Sequence, residues 1–171
     1  MLRKLSWPII VLGIDPGTRR VGFGVISCAG KNPSYIDAGL ISPIASAPSA
    51  ALSEMKTHID ILLEKYTPDL LALEKIFFSK NQKTAIDVAQ ARGVILLAAG
   101  ERRIPVLELT PKEVKTGITG YGPADKRAVS KMVKVALKIP SLKVLDDVTD
   151  ALAIAIVAND LHRHMEAVAI H

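Results

Sequence analysis

The chain has 171 residues, of which 49% are apolar, 23% charged and 4% aromatic; it is long enough to bury a core without staples and too apolar to be disordered. A single cysteine, Cys28, excludes a disulfide framework and a cysteine-based zinc site, and no apolar run reaches the length of a membrane span. The net charge of +5 is uneven: residues 101–143 hold ten bases and four acids, residues 144–171 one base and five acids.

In chain order, residues 1–14 put Arg3 and Lys4 ahead of a short apolar stretch that runs into Gly13-Ile14-Asp15-Pro16-Gly17 without a cleavage pattern, so no signal peptide is expected and the location is cytoplasmic. Trp7 to Ile14 reads as a buried strand, Asp15-Pro16-Gly17-Thr18 as a turn, and Val21 to Ser27 and Tyr35 to Ile41 as two further strands of an antiparallel meander. Cys28 follows the second strand as a packing residue. Leu52, Met55, Ile59, Leu62, Leu63 and Tyr66 keep helical spacing over 50–66, before Pro68. Leu70 to Leu73 is a short buried strand ending at Glu74. An Ala-rich helix follows over 83–101, then a strand over 106–109, a brief helical turn at Pro111 and a mobile loop marked by Gly117, Gly120 and Gly122. A helix with Val129, Met132, Val133, Ala136 and Leu137 on its buried side ends at Pro140. A last helix runs from near Asp147 to about Arg163. The pattern predicts one α/β domain over 1–171, with a mixed five-stranded sheet of three antiparallel then two parallel strands, flanked by helices.

Asp15 and Glu74 each end a strand. If those strands pair in parallel, the two carboxylates sit side by side at about the ~4.8 Å strand spacing. Asp147 and Asp150, three apart, share one face of the last helix. Taken singly, Asp15 reads as a turn residue, Asp146 or Asp147 as a helix cap and Asp150 as a favourable helix-dipole charge. Glu74, after Leu-Leu-Ala-Leu, is costly without a partner. Together they read as a site for hard divalent cations, Mg²⁺ with Mn²⁺ as substitute, two of which can clamp a phosphodiester during hydrolysis. Arg127, Lys131, Lys134 and Lys138 fall on one helical face that suits a nucleic-acid backbone or is simply solvated. His58, His162, His164 and His171 show no metal-binding spacing and are expected at the surface. Gly13 to Thr18 resembles the phosphate loop of actin-like ATPases and sugar kinases, but the chain is too short for their two domains.

Five segments in register resemble the RuvC family of bacterial Holliday junction resolvases over roughly Ile9 to Leu161: Gly13-Ile14-Asp15-Pro16-Gly17-Thr18 through Gly24, Leu73-Glu74-Lys75-Ile76-Phe77-Phe78-Ser79-Lys80-Asn81, Ala89-Gln90-Ala91-Arg92-Gly93, the pair Thr110 to Lys115 and Gly120 to Lys126, and Asp147-Val148-Thr149-Asp150-Ala151-Leu152-Ala153. The resemblance implies an RNase H-like fold and a homodimer that nicks two opposed strands of four-way junction DNA with Mg²⁺, beside a branch-migration complex of the RuvA and RuvB type. It implies Asp15, Glu74, Asp147 and Asp150 as catalytic metal ligands, Lys115 and Lys126 as supporting lysines, and Phe77 as a base-stacking aromatic. Lys80 and Lys83 flank Phe77 in a polar segment and, with Arg127, Lys131 and Lys134, complete the DNA-contacting set. The smaller YqgF-type proteins, which act on RNA, share the opening motif, and a non-catalytic junction binder would lack one of the acids.

Overall fold

The computed structural model describes residues 8–17, 20–75, 82–142 and 144–168. A single five-stranded sheet has the order β3-β2-β1-β4-β5. β1 (Ile9–Pro16), β2 (Val21–Ala29) and β3 (Asn32–Ile41) form the predicted antiparallel meander, and β4 (Leu70–Glu74) and β5 (Val106–Leu109) extend it in parallel from β1. The helices are α1 (Pro48–Tyr66), α2 (Gln82–Glu101), α3 (Pro111–Thr119), α4 (Lys126–Leu137) and α5 (Asp146–Val168).

Strand parity sorts the core into two layers. Ile9, Val11, Leu70, Ala72 and Leu109 face α3, α4 and α5, while Leu12, Ile14, Leu71 and Leu73 face α1 and α2. Side chains alternate along a strand, so the next positions, Asp15 on β1 and Glu74 on β4, belong to the α5 side. The register enforces their adjacency: Val11 pairs with Leu70 and Ile14 with Leu73, one step before the two acids. Asp69 anchors that register by accepting a 2.8 Å hydrogen bond from the Ile10 amide.

α5 is buried over the whole run Ala151 to Ala158 because the sheet lies on one side of it and α3 and α4 on the other. It reaches the sheet through missing side chains. A Cβ on Gly13 would lie 2.2 Å from the Ala151 carbonyl oxygen, and one on Gly22 would lie 2.1 Å from the Asp147 carbonyl oxygen. Gly22 is also the cross-strand partner of Asp15. The glycines of the opening motif therefore set the first turn of α5 directly over the end of β1.

Several elements differ from expectation. The brief turn at Pro111 is a nine-residue helix, closed at its start by a reciprocal pair of hydrogen bonds between Thr110 and Glu113. Gly117 lies inside that helix, where a Cβ would come within 2.6 Å of the Val157 side chain; it is a packing glycine, and only Gly120, at φ 75°, ends the helix. α4 stops at Leu137, with Lys138 left-handed at φ 57°, ahead of Pro140. Met132 is 37% exposed, to the side of the Val129-Val133-Leu137 stripe. α5 begins at Asp146 and runs five residues past Arg163. His162, expected at the surface, is buried because it continues the inner face of α5 through Ala151, Ala155 and Ala158; His164 is exposed.

Candidate active site

Four carboxylates from three elements meet at one end of the sheet. Asp15 comes from β1, Glu74 from β4, and Asp147 and Asp150 from the first turns of α5. Burial and the negative charges of Glu74, Asp150 and Asp147 raise Asp15 to about 7, with Lys126 pulling weakly the other way. Burial and then Asp150 push Glu74 up, opposed by Lys115 and Lys126. Asp150 is also raised, chiefly by burial, against the charge and hydrogen bond of Lys126. Three desolvated, mutually repelling acids are thus held together by the fold.

Cations of the chain answer part of that repulsion. Lys126, first residue of α4, places Nζ 3.6 Å from both Asp146 and Asp150. Burial would lower its pKa, but the two carboxylates outweigh burial and raise it. Arg20, at the entry to β2, lies 3.4 Å from Asp147. Lys115 on α3 is half-buried and acts on Glu74 from the other flank. Among the described residues no three acids close on a single point that would enclose an ion. The donor chemistry nevertheless fits a hard divalent cation, since every donor is a carboxylate oxygen and burial destabilises the charged forms of Asp15, Glu74 and Asp150.

Arg92 of α2 supports the floor of the site. It is largely buried, donates a 2.7 Å hydrogen bond from Nη1 to the Glu74 carbonyl oxygen, and pairs with Glu108 on β5. It ties α2 to the ends of β4 and β5.

Beside the acids, Lys126, Arg127, Ser130, Lys131, Lys134 and Asp146 line one open groove along α4. Lys138, on the same helical face by spacing, lines a different cleft with Lys31 and Asn32 near the β2–β3 turn.

Known proteins resemble the chain in both sequence and fold. Residues 11–158 match the family described as crossover junction endodeoxyribonuclease RuvC. The chain belongs to the RuvC family. The RuvC of Ruminiclostridium cellulolyticum is 41% identical over 156 residues, covering 91% of this chain and 94% of that protein. That of Brevibacillus brevis is 45% identical over 147 residues, covering 85% and 89%. The Thermus thermophilus RuvC structure in complex with a Holliday junction substrate superposes with a TM-score of 0.85 at 28% identity, covering 91% of this chain and 96% of that one. A yeast mitochondrial Holliday junction resolvase shares the fold at 16% identity and a TM-score of 0.63.

As a RuvC-family endodeoxyribonuclease, the chain gathers Asp15, Glu74, Asp147, Asp150, Lys115 and Lys126 at one end of its RNase H-like sheet, and sets Arg127, Lys131 and Lys134 in the adjoining groove. Phe77 and Lys80 lie outside the described residues, as does the side chain of Lys83. The sequence pointed to no role for Arg20 or Arg92, and for Asp146 only to a helix cap; the structure places Asp146 beside Lys126 instead. Arg92 carried a signal, as a lone arginine in the Ala-rich stretch Ala89 to Gly93, but its partners come from strands remote in sequence. Arg20 and Asp146 each adjoin a residue of the same charge, which masked them.

Proposed function

We propose that this protein resolves four-way DNA junctions by paired, metal-dependent nicking of opposed strands, acting as a homodimer of one nuclease domain spanning the chain. The observation that carries the reading is the set of half-buried carboxylates at the ends of the parallel pair β1 and β4 and at the start of α5, beside a groove lined by four cations. Asp15, Glu74, Asp147 and Asp150 are the ligands for Mg²⁺, or Mn²⁺ in its place. The ions supply charge neutralisation and a lowered pKa for attacking water. The chain's own residues do the rest. The carboxylates fix the position of the charge, and the close seat of α5 on Gly22 prevents their drifting apart. Lys115 and Lys126 present ammonium groups at the rim, where negative charge builds on the scissile phosphate. Arg127, Lys131 and Lys134 hold backbone phosphates further along the groove.

Two copies suit the substrate, because one site cuts one strand and resolution needs two symmetric cuts. The outer face of α2 supports the pairing: Ile86 and Leu97 are 62% and 57% exposed, and Gly93 and Gly100 share their stripe. The family resemblance supports a branch-migration complex of the RuvA and RuvB type as a working partner.

The test is a gel assay with a labelled four-way junction, a duplex and an RNA, each with Mg²⁺, Ca²⁺ or no metal. Paired nicks confined to the junction and to Mg²⁺ are expected, with Ca²⁺ supporting binding only, since its looser coordination is a poor template for in-line attack. Cutting of RNA in preference to the junction would favour a YqgF-type activity, and junction binding without cutting in any metal would leave a non-catalytic binder.

A further inference from the structure

One acid near the site stands outside the candidate ligand set. Asp146 opens α5, is 75% exposed along its side chain, and is the one carboxylate in a groove otherwise lined by Lys126, Arg127, Ser130, Lys131 and Lys134. A negative charge there opposes the approach of a DNA backbone, so by charge alone it weakens the surface it belongs to. Its ion-pair partner is Lys126, whose Nζ lies 3.6 Å from Asp146 and 3.6 Å from Asp150. Asp146 and Asp150 are one helical turn apart, so they face the same way and share the ammonium between them.

We infer that Asp146 is a positioning residue that keeps Lys126 at the rim of the active site when Asp150 is taken up by a cation. The inference rests on the proposed role of Asp150 as a metal ligand and of Lys126 beside the scissile phosphate. Lys126 has two anionic anchors. A divalent ion on Asp150 repels the ammonium and removes the first. Without the second, a flexible four-carbon side chain, already 65% exposed, moves into solvent. With Asp146 in place the ammonium stays beside the helix end. The local cost in DNA affinity is the expected price of that placement.

The test compares wild type, Asp146→Asn, Asp146→Glu, Lys126→Ala and the double variant Asp146→Asn with Lys126→Ala. Junction affinity is measured in Ca²⁺, single-turnover cleavage at saturating enzyme, and the Mg²⁺ concentration for half-maximal rate. Asp146→Asn is expected to bind the junction as tightly as wild type or about twofold tighter, yet to cleave about fivefold more slowly, the upper end of what an exposed ion pair supplies. Asp146→Glu should recover most of the rate, and Asp146→Asn should add no further loss in the Lys126→Ala background. A wild-type rate for Asp146→Asn overturns the inference. So does an equal loss with and without Lys126, or a raised Mg²⁺ requirement that persists in Lys126→Ala, which would make Asp146 a metal ligand. If Lys126→Ala itself cleaves normally, it is the assigned role of Lys126 that fails.

Discussion

At the scale of single residues, the site holds electrostatic repulsion that the fold maintains. Asp15 shows its size and sign. Its carboxyl moves from an ordinary 3.8 to about 7 on folding, through burial first and then through Glu74, Asp150 and Asp147. Between those values the folded chain binds a proton that the unfolded chain has released. Stability from this group is therefore full below about pH 4 and is lost as pH rises through 7. Asp15→Asn removes the charge and keeps the shape. In the absence of metal its melting temperature should equal that of wild type near pH 4 and exceed it at pH 8, by about 3–6 °C for a net effect of about 1–2 kcal/mol in a chain of this size. Cleavage should fall by a factor on the order of 10²–10³ or more, while junction binding without metal stays equal or tightens. Melting curves at pH 4 and 8, with and without Mg²⁺, check the first claim. A variant that melts no higher than wild type at pH 8 would mean that Asp15 is solvated, and a variant that still cuts well would remove it from the ligand set. Cys28 is the opposite case: burial pushes its thiol up to about 12, so it is a packing residue with no reactive thiolate.

At the scale of elements, what the sequence made legible is set by periodicity and what it hid is set by distance. The continuous apolar runs of β1 and β4 already placed Asp15 and Glu74 at strand ends, and the three-residue spacing placed Asp147 and Asp150 on one face of a helix. How that helix comes to lie over β1 was hidden, because Gly13, Gly22 and Gly24 read as turn or strand glycines until α5 is packed on them. Gly117 was misread for the same reason, its partner Val157 being forty residues away. Arg92 stood out as a lone arginine in an Ala-rich stretch, but its ties to Glu74 and Glu108 reach strands remote in sequence and could not be read from it. The glycine seat carries its own prediction. Gly22→Ala puts a methyl within 2.1 Å of the Asp147 carbonyl oxygen, a backbone atom that cannot turn aside. α5 must lift at its first turn, at a cost of about 1–3 kcal/mol. Because that turn carries Asp147 and Asp150, cleavage should fall by more than about tenfold in protein that is still folded at the assay temperature. A variant that is destabilised yet cuts at the normal rate would show that the seat serves stability alone. α4 gives a second test: Lys131→Ala and Lys134→Ala should each lower the slope of log affinity against log salt by about 1 if each meets one phosphate, and an unchanged slope would make this face merely solvated.

At the scale of the whole molecule, the proposed homodimer calls for a symmetric contact, and the outer face of α2 is the candidate for it. One side of α2 packs on the core through Ala91, Ile95, Ala98 and Ala99. The other side presents Ile86, Gln90, Gly93, Leu97 and Gly100, spaced by four, three, four and three residues, which is a single stripe along the helix. Glycine within a helix costs about 0.8–1 kcal/mol relative to alanine, and among the described residues none offsets that cost, since a Cβ on Gly93 or Gly100 would meet none of their atoms within 4 Å. Two unoffset glycines that alternate with two exposed large side chains make sense if a second helix comes close along that stripe. The prediction has opposite signs for the two states. Gly93→Ala should stabilise an isolated protomer by close to the full propensity difference, because the methyl enters open space and suits the helix. The same methyl should weaken self-association, because it holds the second helix away. Leu97→Glu should go further, setting a charge in the contact and leaving monomers at micromolar concentration. Monomers of that kind should still nick single strands of a junction with Mg²⁺, but the two nicks should lose their coupling, so that nicked intermediates accumulate before any junction is resolved. Sedimentation gives the oligomeric state and a time course of nicked against resolved junction gives the coupling. If Leu97→Glu remains dimeric, the contact lies on another face of the molecule; if it is monomeric and still delivers paired nicks, the two-fold arrangement is not what couples them.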